Sequence, residues 1–184
     1  MKTHIAGLAF FLTIPILFPG SNYKPFISLS QTQAPGPAPK KARTPADYSA
    51  RTLKELDALK PTEDLGDKQE RMIVHPELFP SRVSVTYLGA ERALPDNNRE
   101  VVRQWARLYA GNPESYTTPY QTEILLKENE VEHWIAVPTR LLKKMKEELK
   151  NGDEVVLYVI RMGRVRDADN WLPVILIEDF SKAK

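Results

Sequence analysis

Histidines are the side chains of this sequence best suited to move protons or bind metals near neutral pH, and His75 and His133 lie beyond its N-terminal segment. His133 falls within residues 131–137, next to Glu132, and an imidazole paired with a carboxylate would suit general-base catalysis. In a regular strand, however, neighbouring side chains point to opposite faces. The spacing therefore favours a polar residue at a barrel rim or sheet edge over a catalytic base.

The other patterns that carry catalysis or metal binding are incomplete. Residues 167–170 begin like a calcium-binding loop, but Leu172 takes the sixth position, where the turn of such a loop needs glycine. These residues therefore predict a hairpin turn. No serine stands in a G-x-S-x-G turn, and the absence of cysteine excludes thiol catalysis and cysteine-ligated zinc. We expect a protein that is not an enzyme and that holds no metal or cofactor.

Arginine side chains offer a candidate ligand-binding surface. Three of them are spaced four residues apart on a predicted helix, and three more cluster at the end of a predicted strand and in the turn after it. Arginine forks suit carboxylates and phosphates, so the two groups would form one anion-binding surface if the helix packs near that turn. Acidic neighbours such as Glu100 and Asp169 favour ordinary solvated charge instead. The predicted ligand-binding residues are Arg99, Arg103, Arg107, Arg161, Arg164 and Arg166, together with Trp171.

Tryptophan is enriched at binding hot spots, so the position of each one matters. We expect Trp171 in a turn between strands, where it would either contact a partner or fold back over the end of a barrel. Trp105 and Trp134 fall on faces that are expected to lie in the core.

The strands that must position these side chains follow from periodicity. Alternating polar and apolar residues predict half-buried strands over residues 81–88, 121–127 and 131–137. Residues 154–162 are apolar on both faces, which indicates the central strand, and residues 172–180 form the last one.

Two longer helices separate these strands. Asn97 and Glu100 have the spacing of a capping box that would start the first helix, with Leu108 among its core positions and Gly111 at its end. The second helix is predicted from Thr139 onward. The order β-α-β-β-α-β-β predicts an α+β fold, and a helix before the fourth strand fits a small five-stranded antiparallel OB-like barrel. The alternative is an open antiparallel sheet packed by two helices.

The N-terminal residues indicate export. Lys2 precedes a 14-residue apolar block at residues 5–18, which is shorter than the roughly 20 residues that span a bilayer and is typical of a secretory signal peptide. We therefore divide the chain into a signal peptide (residues 1–30), a Pro-rich linker (31–45), a short helix and polar loop (46–70) and a compact α+β domain (71–184). We expect the mature protein to begin near Gln31 or Pro35.

The short helix is expected to begin at Thr44 and to dock on the domain through one apolar stripe. That stripe is formed by Tyr48, Leu53, Leu56 and Leu59.

The net charge of the mature chain indicates which classes of partner it can bind. Two of the 26 basic residues, Lys2 and Lys24, fall in the first 30 residues, so the remaining 24 balance the 24 acidic residues of the mature chain. Proteins that bind nucleic acid usually carry a net basic domain, because phosphate contacts dominate their affinity. The balance therefore predicts no nucleic-acid partner.

Together these patterns predict an exported, noncatalytic binding or interaction module, periplasmic or secreted, with no transmembrane segment after processing. Its expected partner is an envelope or extracellular protein or polymer, anionic polymers included. Two alternatives stay open: a structural subunit of a larger envelope assembly, and a small hydrolase that uses His133.

Overall fold

A computed structural model describes residues 43–60 and 71–183. The predicted signal peptide and most of the predicted linker lie outside these residues. The strands are β1 (Ser49–Ala50), β2 (Met72–Val74), β3 (Ser81–Ala93), β4 (Tyr120–Glu128), β5 (Val131–Pro138), β6 (Glu154–Asp167) and β7 (Asn170–Lys182). The helices are α1 (Leu53–Ala58), α2 (Asp96–Trp105), α3 (Glu114–Thr117) and α4 (Thr139–Glu148), with a 3-10 turn at Pro45–Asp47 and a π-helical turn at Ala106–Ala110.

Five strands close a barrel. They follow one another in the order β3-β4-β5-β7-β6, and β6 pairs back onto β3. The predicted small OB-like barrel is confirmed, with α4 between its third and fourth strands, and the ring closure rules out an open sheet. One detail differs from the prediction, because β5 and β7 run parallel rather than antiparallel.

Strand alternation explains the barrel interior. On β3, the side chains of Val83, Val85 and Tyr87 point inward and are buried, as the sequence pattern predicts. The other strands and α4 add apolar side chains to the same cluster, including Ile124, Leu126, Ile135, Val137, Met145, Leu157 and Ile177.

A second core lies outside the barrel, under α2. Val101, Val102 and Trp105 of this helix pack with apolar side chains of β6 and β7. Gly163 of β6 permits this close approach, since a β-carbon there would stand 2.1 Å from the Ile73 carbonyl oxygen and 2.9 Å from Val101 Cγ1.

The ends of α2 differ from the prediction. The helix begins at Asp96, after Pro95, so Asn97 and Glu100 lie inside it and form no capping box. At its other end the chain widens into the π-helical turn before Gly111, and Leu108 is 60% exposed rather than buried. The stretch after Gly111 also contains the short helix α3.

A helical turn begins after Thr44, as predicted, but the prediction of a single helix from there to Leu59 is wrong. The chain instead forms a 3-10 turn, then β1, which pairs with β3, and only then α1. The predicted stripe nevertheless packs on the domain, because Tyr48, Leu53 and Leu56 are buried and Leu59 is half-buried against the same core.

Buried charges hold both ends of α1. At its N-terminus, Glu128 of β4 accepts hydrogen bonds from the backbone N–H of Leu53 (2.8 Å) and of Lys54 (3.5 Å). At its C-terminus, Arg161 of β6 donates to the carbonyl oxygens of Leu56, Asp57 and Leu59 at 2.6–2.8 Å. Each charge lies at the helix end whose dipole it stabilises.

Arg161 is completely buried, and it also lies 5.0 Å from the ring centroid of Phe79. Burial lowers the pKa of its guanidinium to about 10, so the group stays charged at neutral pH. The Arg161–α1 contact is therefore a structural element of the fold.

We predict that Arg161→Ala lowers the free energy of unfolding by about 3 kcal/mol or more, because three carbonyl oxygens lose their donor. Arg107→Ala is the matched control, since Arg107 is exposed and its loss should cost less than about 0.5 kcal/mol. Urea denaturation of the two variants measures the difference, and equal losses would contradict a structural role for Arg161.

Candidate functional site

A groove opens on the outside of the barrel where β5 and β7 separate. The two strands share a single pair of register partners, Ala136 and Leu176, and the space beside this pair has a volume of about 430 Å³. The first turn of α2 lines one side of the groove, and the β6–β7 hairpin lines another. OB-type barrels bind ligands on the face of their second and third strands, between the first and last loops of the barrel. Here those strands are β4 and β5, which contribute Glu123 and residues 132–135 to the groove lining.

An arginine fixed against a tryptophan forms part of the groove wall. Arg92 Nε and Nη2 contact Oε2 of Glu123 at 2.8 Å and 2.7 Å. Asn98 Nδ2 donates to Oε1 of the same carboxylate at 2.7 Å. The guanidinium carbon lies 4.4 Å from the centroid of the Trp134 ring. Glu123 is only 1% exposed, whereas 45% of the Arg92 side chain remains exposed.

Strand register brings these three residues together. The register of β3 on β4 shifts between Tyr87 and Glu91, and after this shift Arg92 lies directly opposite Glu123. On β5, Trp134 lies two residues before Ala136, the register partner of Glu123. Side chains in this diagonal relation on neighbouring strands lie within reach of each other.

Apolar side chains complete the groove. Ile135 and Ile175, both members of the barrel core, form part of its lining. Leu172 of β7 lines it as well and is 45% exposed. The groove thus combines an exposed apolar side chain with the fixed Arg92–Trp134 pair.

His133 lines the groove without a carboxylate partner. Burial lowers the pKa of its imidazole, while Glu128 and Asp57 act in the opposite direction. No hydrogen bond joins this imidazole to a carboxylate within residues 43–60 and 71–183, and Glu128 is engaged at the N-terminus of α1. The geometry therefore lacks the orienting contact that general-base catalysis uses.

Two arginines of the predicted anion-binding surface, Arg161 and Arg164, instead make contacts within the protein. Arg161 is buried inside the barrel, and Arg164 pairs with Asp57, with 2.7 Å between its Nη2 and the carboxylate Oδ1. Both side chains hold α1, so neither joins an exposed anion-binding surface. The sequence did not predict the burial of Arg161, because a buried arginine that binds distant backbone carbonyls has no local sequence signal.

The remaining predicted residues lie on the surface or at the groove. Arg99 and Arg103 form ion pairs with acids of their own helix, Asp96 and Glu100. Arg107 is exposed in the π-helical turn.

The other two predicted ligand-binding residues, Arg166 and Trp171, lie in the β6–β7 hairpin. Arg166 lines the groove, and its Nε donates to the carbonyl oxygen of Ala168. Trp171 lies in β7 opposite Arg166 rather than in the turn, and it is half-buried. The hairpin itself forms as predicted, with Asp167 paired to Asn170.

Sequence reasoning missed the central residues of the groove. Trp134 was expected in the core, yet it lies in the groove wall. The signal was present, because His133, Ile135 and Val137 share the inward face of β5 and alternation turns Trp134 outward. Arg92 lies beyond residue 88, where the predicted strand ended, and β3 continues to Ala93.

A larger concavity of about 940 Å³ lies between the β1–α1 segment and the outer faces of β3 and β6. Several of its charged side chains already have partners within the protein. Arg51 donates to Ser81 Oγ, Glu55 accepts from the Thr52 N–H, and Glu128 binds α1. The groove beside Trp134 is therefore the better candidate for ligand binding.

No protein-family model matches this chain, and a search of curated proteins finds no match. Within the described residues, the helices are all too short or too polar to cross a bilayer. The same residues contain no cluster of three or more His, Asp or Glu side chains that could hold a metal ion.

His133 predicts a pH dependence of stability. Its pKa in the folded protein lies below the ordinary value of 6.5, so the unfolded chain binds the proton more readily. The free energy of unfolding should therefore fall as the pH drops below about 6.5, and His133→Gln should reduce that fall. Urea denaturation at pH 7.5 and pH 5.5, with wild type and variant side by side, measures this. An identical fall in both proteins would contradict the prediction.

Proposed function

We propose that this protein is an exported, noncatalytic binding module that recognises an envelope or extracellular protein or polymer in the groove between β5 and β7. The observation that carries the proposal is the Arg92–Glu123–Trp134 arrangement. A buried carboxylate holds a half-exposed guanidinium against an indole ring at the wall of the groove. Arginine and tryptophan are the residue types most enriched at binding hot spots.

Preorganisation explains how this arrangement supports binding. A free arginine loses side-chain entropy when a ligand immobilises it, and that loss weakens association. Glu123 and Trp134 already restrict Arg92 in the unliganded protein. Most of the side-chain entropy of Arg92 is therefore lost when the protein folds, not when a ligand binds. For stability alone, a buried ion pair is often no better than apolar residues of the same size. A role in binding accounts for the half-exposed position of Arg92.

The charge balance supports a partner other than nucleic acid. Beyond residue 30 the chain carries 24 basic and 24 acidic residues, so no net field attracts a polyanion. The predicted signal peptide supports export, either to a periplasm or out of the cell. The absence of cysteine is compatible with an oxidising compartment, since the fold needs no disulfide.

A small hydrolase that uses His133 is the second candidate. His133 lies at the groove, and burial lowers its pKa, which are both features of catalytic bases. Against it stands the lack of a carboxylate hydrogen bond in the described part of the chain. A binding module cleaves nothing that it retains, whereas a hydrolase would cleave the retained material in the wild type and lose that cleavage in His133→Gln.

Retention of envelope material by immobilised protein tests the proposal. We expect the wild-type protein to retain a defined component of the host's envelope extract, identified by mass spectrometry or sugar analysis. Trp134→Ala should lower its affinity for that component about tenfold or more, because the variant loses both the indole contact and the support of Arg92.

Leu108→Ala is the matched control, because Leu108 is an exposed apolar side chain that is absent from the lining of the groove. It should bind as wild type does. Retention that is unchanged in Trp134→Ala, or no retention by the wild type, would overturn the proposal.

A further inference from the structure

The open edge of β5 suggests what kind of ligand the groove takes. Along its whole length β5 pairs with β4, from Val131 opposite Glu128 to Pro138 opposite Tyr120. On its other side it pairs with β7 only at Ala136. Within the described residues, the edge of β5 over residues 131–135 therefore has no register partner in β7.

We propose that an extended peptide segment of a partner protein binds in the groove by adding as a strand to this edge of β5. This inference rests on the proposed function and names its ligand class. Unpaired N–H and C=O groups along a strand edge are a template for pairing with another chain. Addition of a peptide strand satisfies these groups through main-chain hydrogen bonds, while side-chain pockets provide specificity.

The facing edge of β7 is the poorer template. Pro173 lies in this stretch of β7 and has no N–H to donate. Proline in a sheet is largely confined to edge strands for this reason. Residues 131–135 contain no proline, so the β5 edge offers an uninterrupted row of donors and acceptors.

The side chains around the edge suit alternating apolar residues on the peptide. A strand added to β5 directs every second side chain into the groove, toward Ile135 and Ile175. Leu172 lines the groove at 45% exposure, and Val131, at the start of β5, is 57% exposed. These are two of the large apolar side chains that the described part of the protein leaves open to solvent.

Charge favours a basic residue on the peptide. The groove lining includes Glu132 and Asp167, and both are exposed and engaged in no ion pair within the described ranges. Arg92 is neutralised by Glu123, which leaves Arg166 as the opposing charge of the lining. The groove therefore matches an extended peptide with apolar side chains at alternate positions and a lysine or arginine near Glu132 or Asp167, and does not match a polyanion.

Selection from a phage-displayed library of linear peptides tests the inference on the purified protein. Enriched peptides should show alternating apolar residues and a basic residue, and fluorescence anisotropy then measures their affinity. Each peptide is also made with N-methyl groups on one or the other set of alternate backbone amides. We expect one methylated set to weaken binding about tenfold or more and the other set to bind normally, because only alternate amides of an added strand face β5.

Hydrogen exchange and substitutions in the protein test where the peptide binds. Binding of the peptide should slow hydrogen exchange of alternate amides within residues 131–135. Leu172→Ala should weaken binding, and Leu108→Ala should not.

The outcomes separate this inference from the proposed function. Equal effects of both methylated sets, unchanged exchange over residues 131–135, or no enriched peptide would overturn the peptide inference. If an envelope oligosaccharide binds instead and Trp134→Ala abolishes that binding, the inference fails and the proposed function stands. If nothing binds the groove, both fail.

Discussion

Ala136 and Leu176 are the register partners through which β5 joins β7, and the barrel closes across these two strands at this point alone. Every feature of the candidate site depends on how short this closure is. If the parallel pairing of β5 with β7 continued from Ala136 toward Val131, the two strands would form a continuous sheet. No groove would then separate Trp134 from Leu172. Because it stops, core residues such as Ile135 line a surface groove.

Elsewhere helices cover the barrel interior, and α1 contributes Leu53 and Leu56 to its core. This helix has only six residues, and a helix so short is unstable on its own in water. Glu128 and Arg161 supply what the isolated helix lacks, a buried acid at its N-terminus and a buried arginine at its C-terminus. The barrel therefore has one part stabilised by a helix that buried charges hold at both ends, and another part where β5 and β7 separate and leave a groove.

Alternation and turn chemistry predicted the barrel strands, their order and the helix before the fourth strand, because burial of one face repeats every second residue in a strand. They did not predict Arg161 as a structural residue, since its carbonyl partner Leu56 lies 105 residues away and leaves no local trace. Trp134 was misplaced because its face of β5, opposite to that of His133 and Ile135, was expected to lie in the core. Arg92 was missed because β3 continues to Ala93, beyond residue 88, where the predicted strand ended.

Photocrosslinking tests most directly the claim that the groove is the binding surface. A benzoylphenylalanine side chain is placed at Leu172 in one protein and at Leu108 in another, two exposed leucines of which only the first lines the groove. After illumination in the producing cells, the protein labelled at position 172 should form a discrete crosslinked product. The protein labelled at position 108 should form none. Crosslinking from position 108 alone, or equally from both positions, would contradict the assignment of the groove.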